Sequence, residues 1–224
     1  MKTILKWLVG ITLVLIALAV VFLLSLDTIL RVTAEHRIRA QTGMDAEIGQ
    51  FHVGLLEPVV TIKDLKIHNP PSFGGTPFLI IPEIHIEYDR AALMKNQVHL
   101  TLVRFNLGEL DIVRNEAGQT NLFALGVGLP KKGGATSSNA ELKEFKARTG
   151  LDFQGIDALN VSVGTFKYID LVNQRNNREQ KVGIDNLVMK NVKSPADLAG
   201  LALLVALRGG DFFTSVFGDG FNLK

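Results

Sequence analysis

The chain has 224 residues, with 24 Lys and Arg against 22 Asp and Glu, and no cysteine. The lack of cysteine excludes disulfides and thiolate chemistry, and it suits a periplasm-like compartment where stray thiols would oxidise. Charges of both signs are interspersed and no basic face carries interleaved aromatics, so nucleic acid is not an expected partner.

Trp7 to Leu26 is an uncharged run of twenty residues. As a helix it would be about 30 Å long, the thickness of a bilayer's hydrocarbon core. Ala17-Leu18-Ala19 fits a signal-peptidase site by letter, but cleavage there would leave Val20 to Leu24 as a greasy new N-terminus. An uncleaved signal-anchor is therefore expected. Lys2 and Lys6 precede the run and Asp27 follows it, which places the N-terminus in the cytoplasm and the rest outside it; Arg31, Arg37 and Arg39 act against that bias.

From Asp27 to Thr42 the pattern predicts a short helix stopped by Gly43. The apolar period then becomes two, the signature of strands. Ile48, Phe51 and Val53 begin it. Val60 and Ile62 continue into Leu65 and Ile67 with a phase shift at Lys63-Asp64. Ile84, Ile86 and Tyr88 alternate with His85, Glu87 and Asp89. Val98, Leu100 and Leu102 alternate, and the phase then slips to Val103, Phe105 and Leu107, as a β-bulge placed between Leu102 and Val103 would make it; Leu110 and Ile112 close the set. Asn69 to Gly75 is a Pro- and Gly-rich break, Asp89 to Asn96 allows one helical turn, and Gly118 marks a hairpin tip.

Pro130 to Asn139 reads as a linker, followed by a helix candidate at Ala140–Arg148 ended by Gly150. Alternation returns at Leu159, Val161, Val163, Phe166 and Tyr168, then at Val182, Ile184, Leu187 and Met189. Two correspondences tie the halves together. Val103 to Ile112 lines up with Leu159 to Tyr168, glycines 108 and 164 included, and Ile62 to Asn69 lines up with Ile184 to Asn191. They suggest one β-unit used twice, side by side in a single sheet. Ala196 to Leu207 is apolar on nearly every side yet too short to span a bilayer, so it must be buried against the sheet or on a membrane surface. The organisation read from these signals is an anchor (1–26), a helix plus β-unit (27–129), a linker with a short helix (130–150), a second β-unit (151–195) and an apolar tail (196–224).

No catalytic constellation stands out: G-x-S-x-G and H-E-x-x-H are absent, and an enzyme is not expected. Gly128 to Gly134 resembles a phosphate loop but lacks the Lys-Ser/Thr that must follow its last glycine. His52, His68, His85 and His99 fall in strand regions and could cluster in space, but a metal needs three or four converging ligands, and alternation places His85, Glu87 and Asp89 on one strand face, read as the solvated one. Glu83 and Glu87 read as surface charge. Neither a metal nor a cofactor is expected.

The informative surplus is apolar strand surface. Val60, Ile62, Leu65, Ile67, Ile84, Ile86, Tyr88, Leu100, Leu102, Phe105 and Leu107 are expected to line one face of a sheet with few helices to cover it. Such a face is either a closed core or an accessible groove.

The order of anchor, helix ending in Thr42-Gly43, Val60-Thr61-Ile62-Lys63-Asp64-Leu65-Lys66-Ile67-His68-Asn69-Pro70, Phe73-Gly74, the strands Pro82–Asp89 and Val98–Ile112, and Gly118-Gln119-Thr120-Asn121-Leu122 resembles the N-terminal region of the AsmA family, which includes TamB-like and chorein-like bridge proteins. The resemblance covers residues 1 to about 125; residues 151–193 resemble the family's later β-repeats more weakly. It implies a mainly β protein, with an N-terminal transmembrane helix and a curved antiparallel sheet whose groove meets phospholipid acyl chains. It also implies a single-pass inner-membrane protein of a bacterium, its body in the periplasm, that binds or moves phospholipid and supports outer-membrane biogenesis. The chain is far shorter than large members, so bridging two membranes would need copies or partners stacked end to end. The alternative is a non-enzymatic structural or assembly factor that binds an envelope protein, such as a secretion component, or itself.

Overall fold

The computed structural model describes residues 25–54, 56–124, 138–210 and 212. The expected anchor apart from Ser25 and Leu26, most of the expected linker, the Gly128–Gly134 loop and the last twelve residues lie outside the described residues. Among the described residues no helix is long and apolar enough to cross a membrane.

The fold is mainly β. Helix α1 (residues 25–42) is followed by β1 (Asp45–Val53), β2 (Val59–His68), β3 (Pro77–Tyr88), the short α2 (Arg90–Leu93) and β4 (Gln97–Arg114). Then come α3 (Asn121–Ala124), α4 (Ser138–Thr149), β5 (Asp152–Asp170), β6 (Arg178–Val192) and α5 (Ala199–Gly209). The six strands form one sheet in sequence order.

Helix α1 ends where its glycine lies. Gly43 adopts φ +68° and its N–H closes on the Arg39 carbonyl at 2.8 Å. Past Ser25 and Leu26, the residues of α1 that lose exposure are Asp27, Leu30, Arg31, Ala34, Glu35 and Ile38, the three-and-four spacing of one helical face. The break expected at Lys63-Asp64 is a backbone event. Asp64 has φ +54°, its counterpart Asn186 has φ +50°, and Asp and Asn tolerate that left-handed region better than other side chains. The correspondence between Ile62–Asn69 and Ile184–Asn191 is thus a shared strand irregularity.

The sheet is mixed, not antiparallel throughout. Neighbouring strands are antiparallel except β4 and β5, which run parallel. The physical reason is the connection. Parallel neighbours need a crossover of a dozen residues or more, and the chain from Asn115 to Leu151 is long enough to return to the starting end. The second sequence correspondence is this very pair: Val103 faces Leu159, Phe105 faces Val161, Leu107 faces Val163 and Leu110 faces Phe166. Strand β3 also begins earlier than its alternation suggests and carries Pro82 in its interior.

Glycine is required where β4 meets β5. A Cβ added at Gly164 would lie 2.3 Å from the Gly108 carbonyl oxygen, whereas one at Gly108 would meet the Pro82 ring at 3.1 Å. Backbone cannot yield as a ring edge can. Gly164→Ala is therefore expected to lose at least about 3 kcal/mol of stability, and Gly108→Ala clearly less, in denaturant unfolding of the two variants side by side.

Candidate functional site

Alternation sorts the sheet into two faces, and the register makes one of them apolar in unbroken rows. Phe51, Ile62, Ile84, Phe105, Val161 and Leu187 are successive partners, one from each strand. Val53, Val60, Ile86, Val103, Leu159 and Met189 make the next row. Further along, Leu65 pairs with Ile48 and Ile81, Ile67 with Ala46 and Leu79, and Leu107 with Val163. The other face is polar, with His52, Thr61, His85, Arg104 and Asn160 in its central row, which ends at Val188.

Two helices cover the flanks of the apolar face. Ala34 and Ile38 of α1 pack where Ile48, Leu65 and Ile81 are buried. Leu201, Leu204 and Val205 of α5, with Leu198 and Phe212 beside it, pack on Val161, Val163, Phe166 and Ile184. The Phe166 and Phe212 rings are 6.2 Å apart. The apolar tail is not buried all round, since Leu203 and Leu207 of α5 are 51% and 69% exposed. Phe105 and Leu107 touch both clusters. Ile62, Ile84, Ile86, Val103 and Phe105, on the strands between the two flanks, are only half-buried.

The structure brings Val60, Ile62, Leu65, Ile67, Ile84, Ile86, Phe105 and Leu107 onto this face. Tyr88 pairs with Leu100 at the end of the β3–β4 hairpin, where both line an apolar cavity of about 110 Å³ with Leu93 and Val98. Leu102 is a correction. It pairs with Glu87 and Ala158, one step from the Ile86–Val103–Leu159 row, and so belongs to the polar face. The register shift lies opposite Glu87 and Tyr88, between Leu100 and Leu102, one residue earlier than expected. The alternation had flagged Phe51, Val103, Val161, Leu187 and Met189 as strand residues without placing them on this face; the 56-residue correspondence held the signal for Val103 and Val161.

The histidines sit apart in local pairs. His85 lies 2.8 Å from Thr61 Oγ1 and 3.2 Å from Glu87, while His99 lies 2.9 Å from Asp157. His52 is paired with Asp27 at 3.0 Å. Among the described residues no group of three or more His, Asp or Glu side chains could hold a metal ion.

Polar chemistry concentrates at the opposite end of the sheet. Asn121 is fully buried: its Oδ1 accepts from the Val113 N–H at 3.1 Å, and its Nδ2 donates to Asn69 Oδ1 and the Asp111 carbonyl at 2.9 and 2.8 Å. Asp170, also buried, accepts from Asn176 Nδ2 and from the N–H groups of Asn173 and Val172, which holds its carboxyl below the usual range. Asp111 is the outlier. It is 4% exposed and its Oδ1 has no hydrogen-bond partner. Burial, reinforced by the Glu109 carboxylate, pushes it up to about 7, against the pull of Lys167, whose Nζ lies 2.7 Å from Glu109.

No family model, curated protein or solved structure matches the chain.

Asp111 gives stability a distinctive pH dependence. Unfolded, it ionises near 3.8; folded, it holds its proton to about 7. Between those values the native state binds more protons than the unfolded state, so this contribution to stability falls as pH rises through the window. Asp111→Asn mimics the protonated form. Thermal melts from pH 4 to pH 8 are expected to show a flatter profile for the variant and a higher melting temperature than the wild type at pH 8.

Proposed function

We propose that this chain is a non-enzymatic, AsmA-like envelope protein, held at a bacterial inner membrane by residues 7–26, whose apolar sheet face holds phospholipid acyl chains on the periplasmic side. One observation carries the reading. Two apolar rows run through all six strands without a polar interruption, and their central members stay half-buried. Monomeric proteins seldom leave continuous apolar surface of that kind without a ligand for it. Six strands span about 24 Å, more than the roughly 15 Å depth of one leaflet's hydrocarbon, so an extended acyl chain fits along a row.

The placement of α1 supports the same reading. This helix follows directly on the uncharged run and starts beside Val53, at the sheet end that holds the Val53–Met189 row and the Tyr88–Leu100 cavity. A lipid leaving the bilayer near the anchor would meet that end first. The second reading, an assembly factor that binds an envelope protein, is favoured by the exposure of Val188 on β6 and of Leu203 and Leu207 on the adjoining α5.

Phe105 distinguishes the readings, because it sits mid-row and touches both clusters. Lipid is expected to co-extract with the purified full chain in stoichiometric amount. Phe105→Glu should lose it while circular dichroism shows a folded protein, because a carboxylate on an accessible face can still reach water. Leu102→Glu, on the polar face, should keep it. A folded Phe105→Glu with undiminished lipid would sink the acyl-chain reading. An unfolded one would mean a closed core, where a stranded charge costs several kcal/mol or more.

A further inference from the structure

The edge of β1 and the facing side of α1 border a second, open cavity, of about 400 Å³, lined among others by Asp27, Arg31, Gln50, Phe51 and His52. Asp27, Arg31 and Glu35 are spaced four residues apart and so share one stripe of the helix. The two carboxylates of that stripe are committed to the strand. Asp27 accepts the Val53 N–H at 3.1 Å and pairs its other oxygen with His52, and Glu35 accepts the Ile48 N–H at 2.9 Å. Midway between them the helix presents a cation instead. Arg31 lines the cavity, and its Nε is buried without a hydrogen-bond partner.

The strand opposite also offers a donor. The Gly54 N–H turns inward to the Val59 carbonyl at 2.9 Å, so that of Val53 points outward to Asp27. By antiparallel alternation the Phe51 N–H, two residues back, points outward as well, on the side where Phe51 lines the cavity. A guanidinium and an edge N–H thus belong to residues lining one cavity, whose neighbouring carboxylates are already engaged. The missing partner is an anion that can accept from both.

We propose that this cavity binds a phosphate group, with the Arg31 guanidinium and the Phe51 N–H as its donors. The planar guanidinium suits two oxygens of a tetrahedral phosphate, which it meets with parallel N–H groups. Asp27 and Glu35 flank the site and oppose a second negative charge, so a singly charged phosphodiester is preferred over a phosphate dianion. The choice of a lipid headgroup as the source rests on the reading above, since residues 27–31 directly follow the uncharged run and would lie at headgroup level.

The test uses the full chain in detergent, titrated calorimetrically with glycerophosphoglycerol, with dioctanoyl phosphatidylglycerol and with inorganic phosphate. Both diesters are expected to bind, and inorganic phosphate at least tenfold more weakly. Arg31→Gln should cut diester affinity at least tenfold at an unchanged melting temperature. Arg31→Lys, which keeps the charge but not the fork, should fall between, and it replaces the Gln variant if that one does not fold. Wild-type protein that binds neither diester, or an Arg31 variant that binds both as the wild type does, would overturn the site. Inorganic phosphate bound as tightly as the diesters would overturn the diester assignment. Glycerophosphoglycerol binding that depends on Arg31 while no acyl lipid is ever bound would uphold the site and refute the acyl-chain reading instead.

Discussion

The structure depends on the parallel pairing of β4 with β5. It is the seam between the two β-units, and its register decides whether their apolar residues share a face. A slip of one residue would turn Val161 and Val163 to the polar side and end both long rows at β4. Gly108 and Gly164 secure the alignment, because only strands without side chains at that point can come so close. The seam is also the pairing most costly in chain entropy, since the whole stretch from Asn115 to Leu151 must be closed before it forms.

Strand existence was legible because alternation is a direct consequence of half-burial. Ile84, Ile86 and Tyr88 could hardly be anything but strand. Pairing direction was not legible, because alternation is the same in parallel and antiparallel neighbours. The length of chain between Arg114 and Asp152 was the available clue to the crossover. The position of the β4 bulge was ambiguous for a chemical reason. Leu100, Leu102 and Val103 are all apolar, so a slip before or after Leu102 leaves the same pattern of letters. Only the partner strand resolves it, through the polar Glu87 opposite Leu102. The cavity beside α1 could not be read from local pattern at all, because Arg31 and Phe51 are brought together by the docking of a helix on a strand edge.

That docking solves a general problem of open sheets. An edge strand presents unpaired N–H and C=O groups that invite another strand. At β1 the helix meets this with Asp27 and Glu35, which take the Val53 and Ile48 donors. At β6 the device differs. Gly183, Asn186 and Asn191 all have positive φ, which breaks the regular edge, and Arg208 of α5 donates to the Gly183 carbonyl. Both edges are thereby managed by helices that also roof the flanks of the apolar face. The same two contacts protect the sheet from aggregation and define the width of surface left between them.

A sheet with one apolar face and a solvated reverse has only half the burial of a two-layered domain, and folding must still offset the backbone entropy of its long strands. Here α1 and α5 supply part of the second layer. On the proposed reading an acyl chain along the half-buried rows completes it, because a ligand that binds only the folded sheet adds RT ln(1 + [L]/Kd) to its stability. Occupancy and folding are then linked through Ile62, Ile84, Ile86, Val103 and Phe105. A chain that filled those rows with its own side chains would gain stability without a ligand and would lose the surface. On that reading the half-burial of the central rows is a compromise between a core and a binding site.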